Sequence, residues 1–185
     1  MSGIRVIGGS VRGRRLSLVP GDSTRPITDR VKENLFNILG RRVVGASVLD
    51  LFAGTGGVGI EALSRGAASA RFLDINHNAI LTIRENLKTT GFVGQSEVMR
   101  LDAFSLLAKP PDRVFDLIYL APPQYKTLWS RALLELDKNP GWLGSGATVV
   151  AQIDPREEEP VGLVHLKDFD RRRYGNTLLL FYGIE

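Results

Sequence analysis

The residues with the clearest chemical potential fall in one block, Asp50-Leu51-Phe52-Ala53-Gly54-Thr55-Gly56-Gly57-Val58-Gly59. Gly54, Gly56 and Gly59 fit the spacing G-x-G-x-x-G, in which missing Cβ atoms let a strand turn sharply into a helix and let a ligand approach the backbone. Asp74 follows at the end of the next apolar run, where a carboxylate can accept both hydroxyls of an adenosine ribose. NAD and S-adenosylmethionine sites share that feature, and Asp50 helps to choose between them. It stands four residues before the first glycine, a place that is apolar in dinucleotide sites, where the backbone must meet a pyrophosphate. S-adenosylmethionine has no phosphate; it carries a sulfonium and an ammonium, and a carboxylate suits that charge directly or through water. Asp102 ends a third run and precedes Ala103-Phe104. It can accept from the exocyclic amine of an adenine, or cap a short helix over 103–108, or do both. Ile75 and Phe104 could flank the adenine ring, although Phe104 fits ordinary core equally well. These residues, with Phe52, Ala53 and Thr55 of the glycine block, form the candidate cofactor site.

Such a site needs strands that deliver carboxylates to one edge. From residue 47 onward the chain alternates strand and helix. The predicted strands are 47–52, 70–74, 97–101, 115–120, 147–153 and 177–182, with a weaker one near 161–167. The predicted helices are 57–65, 78–89 and 127–136. Continuous apolar strands between helices imply an α/β fold, a mostly parallel sheet covered on both faces. Ahead of it, Arg5–Ile7 and Arg14–Val19 flank a Gly-rich turn and read as a β-hairpin. A loop over 21–26 leads to a helix with Thr28 as N-cap, Asp29 in its first turn and Gly40 just past its end. Glu157-Glu158-Glu159 and Arg171-Arg172-Arg173 read as solvated loops.

Composition narrows the classes. The 185 residues contain no Cys and two distant His, His77 and His165. That excludes disulfides and thiolate metal sites and argues against zinc or triad chemistry, so no metal is expected. No apolar run reaches the roughly 20 residues of a membrane span, and no apolar leader opens the chain. Residues 1–32 carry seven Lys/Arg against two Asp, a net +5, whereas the other 17 basic and 18 acidic side chains leave −1. An N-terminal excess of this kind suits a polyanion partner or a solvated basic arm alike.

Several blocks recur in a known order: Arg5-Val6-Ile7-Gly8-Gly9 with Arg12-Gly13-Arg14; Thr24-Arg25-Pro26-Ile27-Thr28-Asp29-Arg30-Val31-Lys32-Glu33; the glycine block with Glu61-Ala62-Leu63-Ser64-Arg65-Gly66-Ala67; and Tyr174-Gly175. Together they cover nearly the whole chain and resemble the bacterial 16S ribosomal RNA guanine-N2 methyltransferase family. The resemblance implies a Rossmann-like methyltransferase domain over 27–185 and a basic N-terminal β-hairpin extension over 1–26 that helps hold RNA. It further implies S-adenosylmethionine as cofactor, 16S ribosomal RNA in a small-subunit particle as substrate, and a cytoplasmic monomer. Arg5, Arg12, Arg14, Arg15, Arg25 and Arg30 become RNA-binding candidates. Arg25, Thr28, Asp29 and Arg30 come to border the active site; the competing reading of that segment is a capped helix start with surface arginines.

One loop departs from the family. After its fourth strand the family has Asp or Asn, then Pro-Pro, then an aromatic; here stands Ala121-Pro122-Pro123-Gln124-Tyr125. An exocyclic guanine amine is a poor nucleophile, and acceptors beside it favour the nitrogen that forms as the methyl arrives. Ala121 keeps only its carbonyl. In a working variant, Gln124 or Asp29 provides the acceptor and Tyr125 stacks on a flipped base. The alternatives are a slow enzyme, and an RNA-binding ribosome-assembly factor without catalysis. An NAD enzyme and a DNA amino-methyltransferase are the remaining competitors.

Overall fold

A computed structural model describes residues 3–21 and 26–184. Seven strands form one sheet: β3 (Ser47–Asp50), β4 (Ser69–Asp74), β5 (Ser96–Arg100), β6 (Phe115–Leu120), β7 (Leu143–Ile153), β8 (Leu166–Tyr174) and β9 (Thr177–Ile184). Their order is β5-β4-β3-β6-β7-β9-β8, parallel except for β9, which runs antiparallel to both its neighbours. The chain starts at β3, builds outward to β5, then returns to the other side of β3 as β6. The order therefore reverses between β3 and β6, and open α/β sheets bind ligands beyond the carboxyl ends of the strands at such a point.

Side chains alternate across the sheet, and two cores follow. On one face Val48, Phe72, Leu117, Val150 and Phe181 pack beneath α1 (Asp29–Leu39), α2 (Gly57–Ser64) and α3 (His77–Thr90). On the other, Leu49, Leu73, Ile118 and Val149 pack beneath α4 (Ala103–Leu107) and α5 (Leu128–Lys138). Helix α1 starts and stops as its residues dictate: the Thr28 hydroxyl accepts from Val31 N at 3.3 Å, and Gly40 ends the helix at φ 54°. Among the described residues, no helix is long and apolar enough to cross a membrane.

Gly59 differs from its expected role. A Cβ there would lie 2.3 Å from the Phe72 ring, so this glycine lets α2 close onto β4 and does not line the ligand cavity.

The hairpin strands β1 (Ile4–Arg5) and β2 (Arg15–Leu16) are shorter than the alternation predicts. Val6 still exchanges backbone bonds with Gly13 and Arg14 across the turn, and beyond it the backbone bonds to helix side chains. Glu61 on α2 accepts from Ile7 N and Gly8 N, both at 2.9 Å. Ser64 donates to Gly8 O at 2.6 Å, and Ser17 exchanges two bonds with Asn86 of α3. Val6 and Leu16 join the core beneath α1 and α2.

Two charge runs are corrected. Arg171–Arg173 lie in β8, an edge strand on the apolar β9, where charge blunts an exposed edge. Ahead of Leu166, where β8 begins, the weak strand expected at 161–167 does not form. Its place is taken by a segment whose Val164, His165 and Leu166 N–H groups all donate to the Asp137 carboxylate. Glu157 binds the loop after β6, and Glu159 binds the first turn of α5.

Candidate active site

At the carboxyl edge of β3, β4 and β6 lies a cavity of about 660 Å³, a size suited to a small ligand. Asp50, Asp74 and Asp102 all line it, from the ends of three neighbouring strands. Phe52, Ala53, Gly54 and Thr55 form its floor, with Ile75 and Ala103 nearby. The floor is fixed by backbone bonds: Ala53 N to Leu73 O and Gly56 N to Ala53 O, each 2.8 Å. Gly56 takes φ 80° as the residue before α2 and is buried, so it shapes the turn without reaching the cavity wall.

Each carboxylate has a different surrounding. Asp74 accepts from Gly54 N and Asn76 N, both at 2.9 Å, which leaves lone pairs for two ligand hydroxyls. Asp102 caps α4 by accepting from Ser105 N at 3.0 Å and still borders the cavity, so both of its expected roles are compatible. Asp50 is 1% exposed, and its Oδ1 has no hydrogen-bond partner among the described residues. Burial, and then the nearby Asp74 charge, push its carboxyl up to about 8.

These residues fit S-adenosylmethionine. A buried oxygen without a partner calls for a donor or a cation. Gly54 adds the necessary space, since a Cβ there would meet nothing within 4 Å. One consequence is measurable. At pH 7 Asp50 is mainly protonated in the free protein, and a bound cation holds it ionised, so binding should release about one proton. Release should fade toward pH 9. Calorimetry in buffers of different ionisation enthalpy reads this number, and Asp50→Asn should abolish it. Because the fold must keep Asp50 protonated above the ordinary carboxylate pKa, where the unfolded chain releases that proton, Asp50 costs stability at pH 7, and the same variant should raise the unfolding midpoint of the free protein.

Opposite this floor stand Ala121, Pro122, Pro123 and Gln124, with Lys126 beyond them and Pro26 and Ile27 from the approach to α1. Gln124 thus borders the cavity; Tyr125 and Asp29 do not. Tyr125 has φ 63°, and its hydroxyl donates to Asp154 Oδ2 at 2.8 Å, beyond β7. Arg156 sits over the Tyr125 ring at 5.4 Å, and the Tyr125 backbone N–H donates to the Glu157 carboxylate at 2.6 Å. The left-handed backbone turns this ring away from the cavity wall. Trp129 and Ser130 are bound in turn by Glu157 O and the Glu159 carboxylate. The acidic run therefore clamps the loop after β6. Asp29 pairs with Arg5 at 2.9 Å, because the Thr28 cap turns the first turn of α1 toward the hairpin. Phe104 is likewise off the cavity, packed edge-on to Phe52 at 6.4 Å and beneath Arg131.

Sequence reasoning missed Tyr119, Gln152 and Thr177, which complete the cavity. Their one signal is parity: Tyr119 shares a sheet face with Ala121, and Gln152 is one step past the Leu120–Ala151 pair. Arg12, Arg14, Arg15 and Arg30 are exposed, and Arg14 donates to Thr89 O at 3.0 Å. Arg25 lies outside the described residues.

The family described as Conserved hypothetical protein 95 matches residues 4–183. The chain is 42% identical to Bacillus subtilis YlbH, a proposed rRNA methyltransferase by name, over 97% of this chain and 98% of that one. It is 37% identical to Escherichia coli ribosomal RNA small subunit methyltransferase D, over 80% and 74% respectively. Among solved structures, Escherichia coli yhhF, a proposed methyltransferase by name, superposes with TM-score 0.87 at 34% identity, over 100% of this chain and 99% of that one. An RNA methyltransferase from Salinibacter ruber, in complex with S-adenosyl-L-homocysteine, has the same fold: TM-score 0.67 at 17% identity, over 86% and 94%.

Proposed function

We propose, from the premise that this chain belongs to the Conserved hypothetical protein 95 family, that it methylates ribosomal RNA with S-adenosylmethionine. The finer reading is transfer to the exocyclic N2 amine of a guanine in 16S RNA, presented on a small-subunit particle to a monomeric, cytoplasmic enzyme. The observation that carries it is the convergence of three strand-end carboxylates on one cavity that the Pro122-Pro123 loop also borders. Relatives named as small-subunit rRNA methyltransferases support the substrate class.

S-adenosylmethionine, when bound, supplies a methyl carbon made electrophilic by its sulfonium. The chain does the rest by positioning. Asp74 takes the ribose, Asp102 the adenine amine, and Asp50 the positive charge. The carbonyl of Ala121 accepts from the target amine, which sheds its proton to water at the cavity mouth. Rate then comes from alignment and electrostatics more than from acid–base chemistry. The exposed hairpin arginines, with Arg30, suit phosphates along the approach to the cavity.

The deciding experiment incubates the chain with methyl-labelled S-adenosylmethionine and undermethylated small subunits, then maps the modified base. Label should appear on one guanine N2 of 16S RNA. Label on another atom would refute the guanine-N2 reading, and no label on RNA would leave a non-catalytic RNA-binding factor. The missing side-chain acceptor at Ala121 is the observation that favours that second reading.

A further inference from the structure

We propose that Gln152 supplies the side-chain acceptor for the target amine that Ala121 lacks, and that Tyr119 holds its amide in place. This rests on the guanine-amine reading above. Strands β6 and β7 run parallel with Leu120 beside Ala151, so the next residue of each path brings Ala121 alongside Gln152. Side chains alternate across a sheet. Tyr119 and Val150 share the core beneath α1 to α3, which puts Ala121 and Gln152 on that same face. All three residues, Tyr119, Ala121 and Gln152, line the cavity. The short Ala121 methyl leaves open space that the neighbouring amide borders.

The amide is ordered. Tyr119 is 4% exposed, and its hydroxyl donates to Gln152 Oε1. Burial holds this phenol well above its usual range, so it remains a donor throughout the working pH range. With the phenol as donor, the oxygen of Gln152 is its acceptor. That oxygen keeps a second lone pair, and Nε2 keeps two N–H donors. Guanine presents an amine N–H next to the ring acceptor N3. One amide complements both, accepting from the amine and donating to N3. The acceptor then strengthens as the amine nitrogen gains positive charge, which favours transfer over mere binding. A purely structural Tyr–Gln pair would need neither group at the cavity wall.

Gln152→Leu removes the acceptor at similar size. Methyl transfer to undermethylated small subunits should fall by about 10²–10³-fold, the range for loss of one polar group at a reacting centre. Affinity for S-adenosylmethionine should stay within about twofold, since no cofactor contact is removed. Ala121→Asn on the Gln152→Leu background should recover about tenfold or more, by returning an acceptor one strand over. A second readout needs no cofactor. Inosine monophosphate differs from guanosine monophosphate only by lacking the 2-amino group. NMR titration should show the native chain preferring the guanosine compound by about 2–10-fold, the worth of one hydrogen bond, and Gln152→Leu binding the two equally. If Gln152→Leu does not fold, Tyr119→Phe serves, and it should narrow the same preference. Undiminished transfer in Gln152→Leu, or a preference that survives it, overturns the role of Gln152 while the methyltransferase reading stands. Absence of transfer by the native chain is instead the failure of that reading.

Discussion

Asp74→Ala should weaken S-adenosylmethionine binding by about two to four orders of magnitude, the largest loss expected from any single cofactor-site change. Two hydrogen bonds from ribose hydroxyls to a charged acceptor are each worth about 1.5–3 kcal/mol, and every 1.4 kcal/mol is about tenfold. The variant loses more than those contacts, because Asp74 also accepts from Gly54 N at 2.9 Å and so sets the height of the cavity floor. Asp74→Asn keeps one acceptor oxygen and should fall between the two. The ribose is common to S-adenosylmethionine and S-adenosylhomocysteine, so calorimetric titration should find the same loss for both. A loss confined to the sulfonium compound would mean that Asp74 answers charge and not the hydroxyls. Asp50→Asn makes the contrast, since its expected partner is the positive charge.

Both carboxylates are legible in the sequence, because each closes an apolar run of strand length. The strand 115–120 matches its predicted bounds residue for residue, and Asp50 and Asp74 close two further runs. The helix capped by Thr28 was legible for the same local reason. What escaped depends on partners far apart in sequence or on backbone conformation. Tyr125 stands one residue past the place of the family's aromatic, near enough to suggest stacking, but its φ of 63° turns the ring to Asp154, 29 residues on. Nothing marks a non-glycine residue for that conformation. Gln152 lies inside a strand with no motif, and only its neighbour across the sheet gives it meaning. Arg171–Arg173 lack the alternation of a strand because an edge strand borrows its pairing from β9. The Glu61–Arg65 block matched the family by letter, while the reason for those letters is spatial.

That reason leads to the largest stability effect expected. Glu61 is 0% exposed and holds four groups: Ile7 N, Gly8 N, the Arg65 guanidinium at 2.8 Å and the Lys32 ammonium at 3.5 Å. Lys32 is itself 1% exposed, and burial lowers its pKa against the raising effect of Glu61. Glu61→Ala strands a buried ammonium and two backbone N–H groups. Breaking a buried pair from one side costs about 3–5 kcal/mol, which for a chain of this length lowers the melting midpoint by about 6–20 °C. The sign with pH follows from Lys32. Without Glu61 its folded pKa drops further below the unfolded value, so the variant should be least stable at low pH and recover as pH rises toward about 10. Removing both charges in Glu61→Ala with Lys32→Met should restore part of the loss. Hydrogen exchange should speed first at Ile7 and Gly8, where the hairpin docks. If instead Glu61→Ala melts within about 1 °C of the native chain, these contacts do not hold the hairpin. The loss also bears on function, because Asn86 of α3 donates both to Ser17 O of the hairpin segment and to Thr55 O of the cavity floor. Asn86 thus links the basic arm to the cofactor floor, so undocking the first should loosen the second.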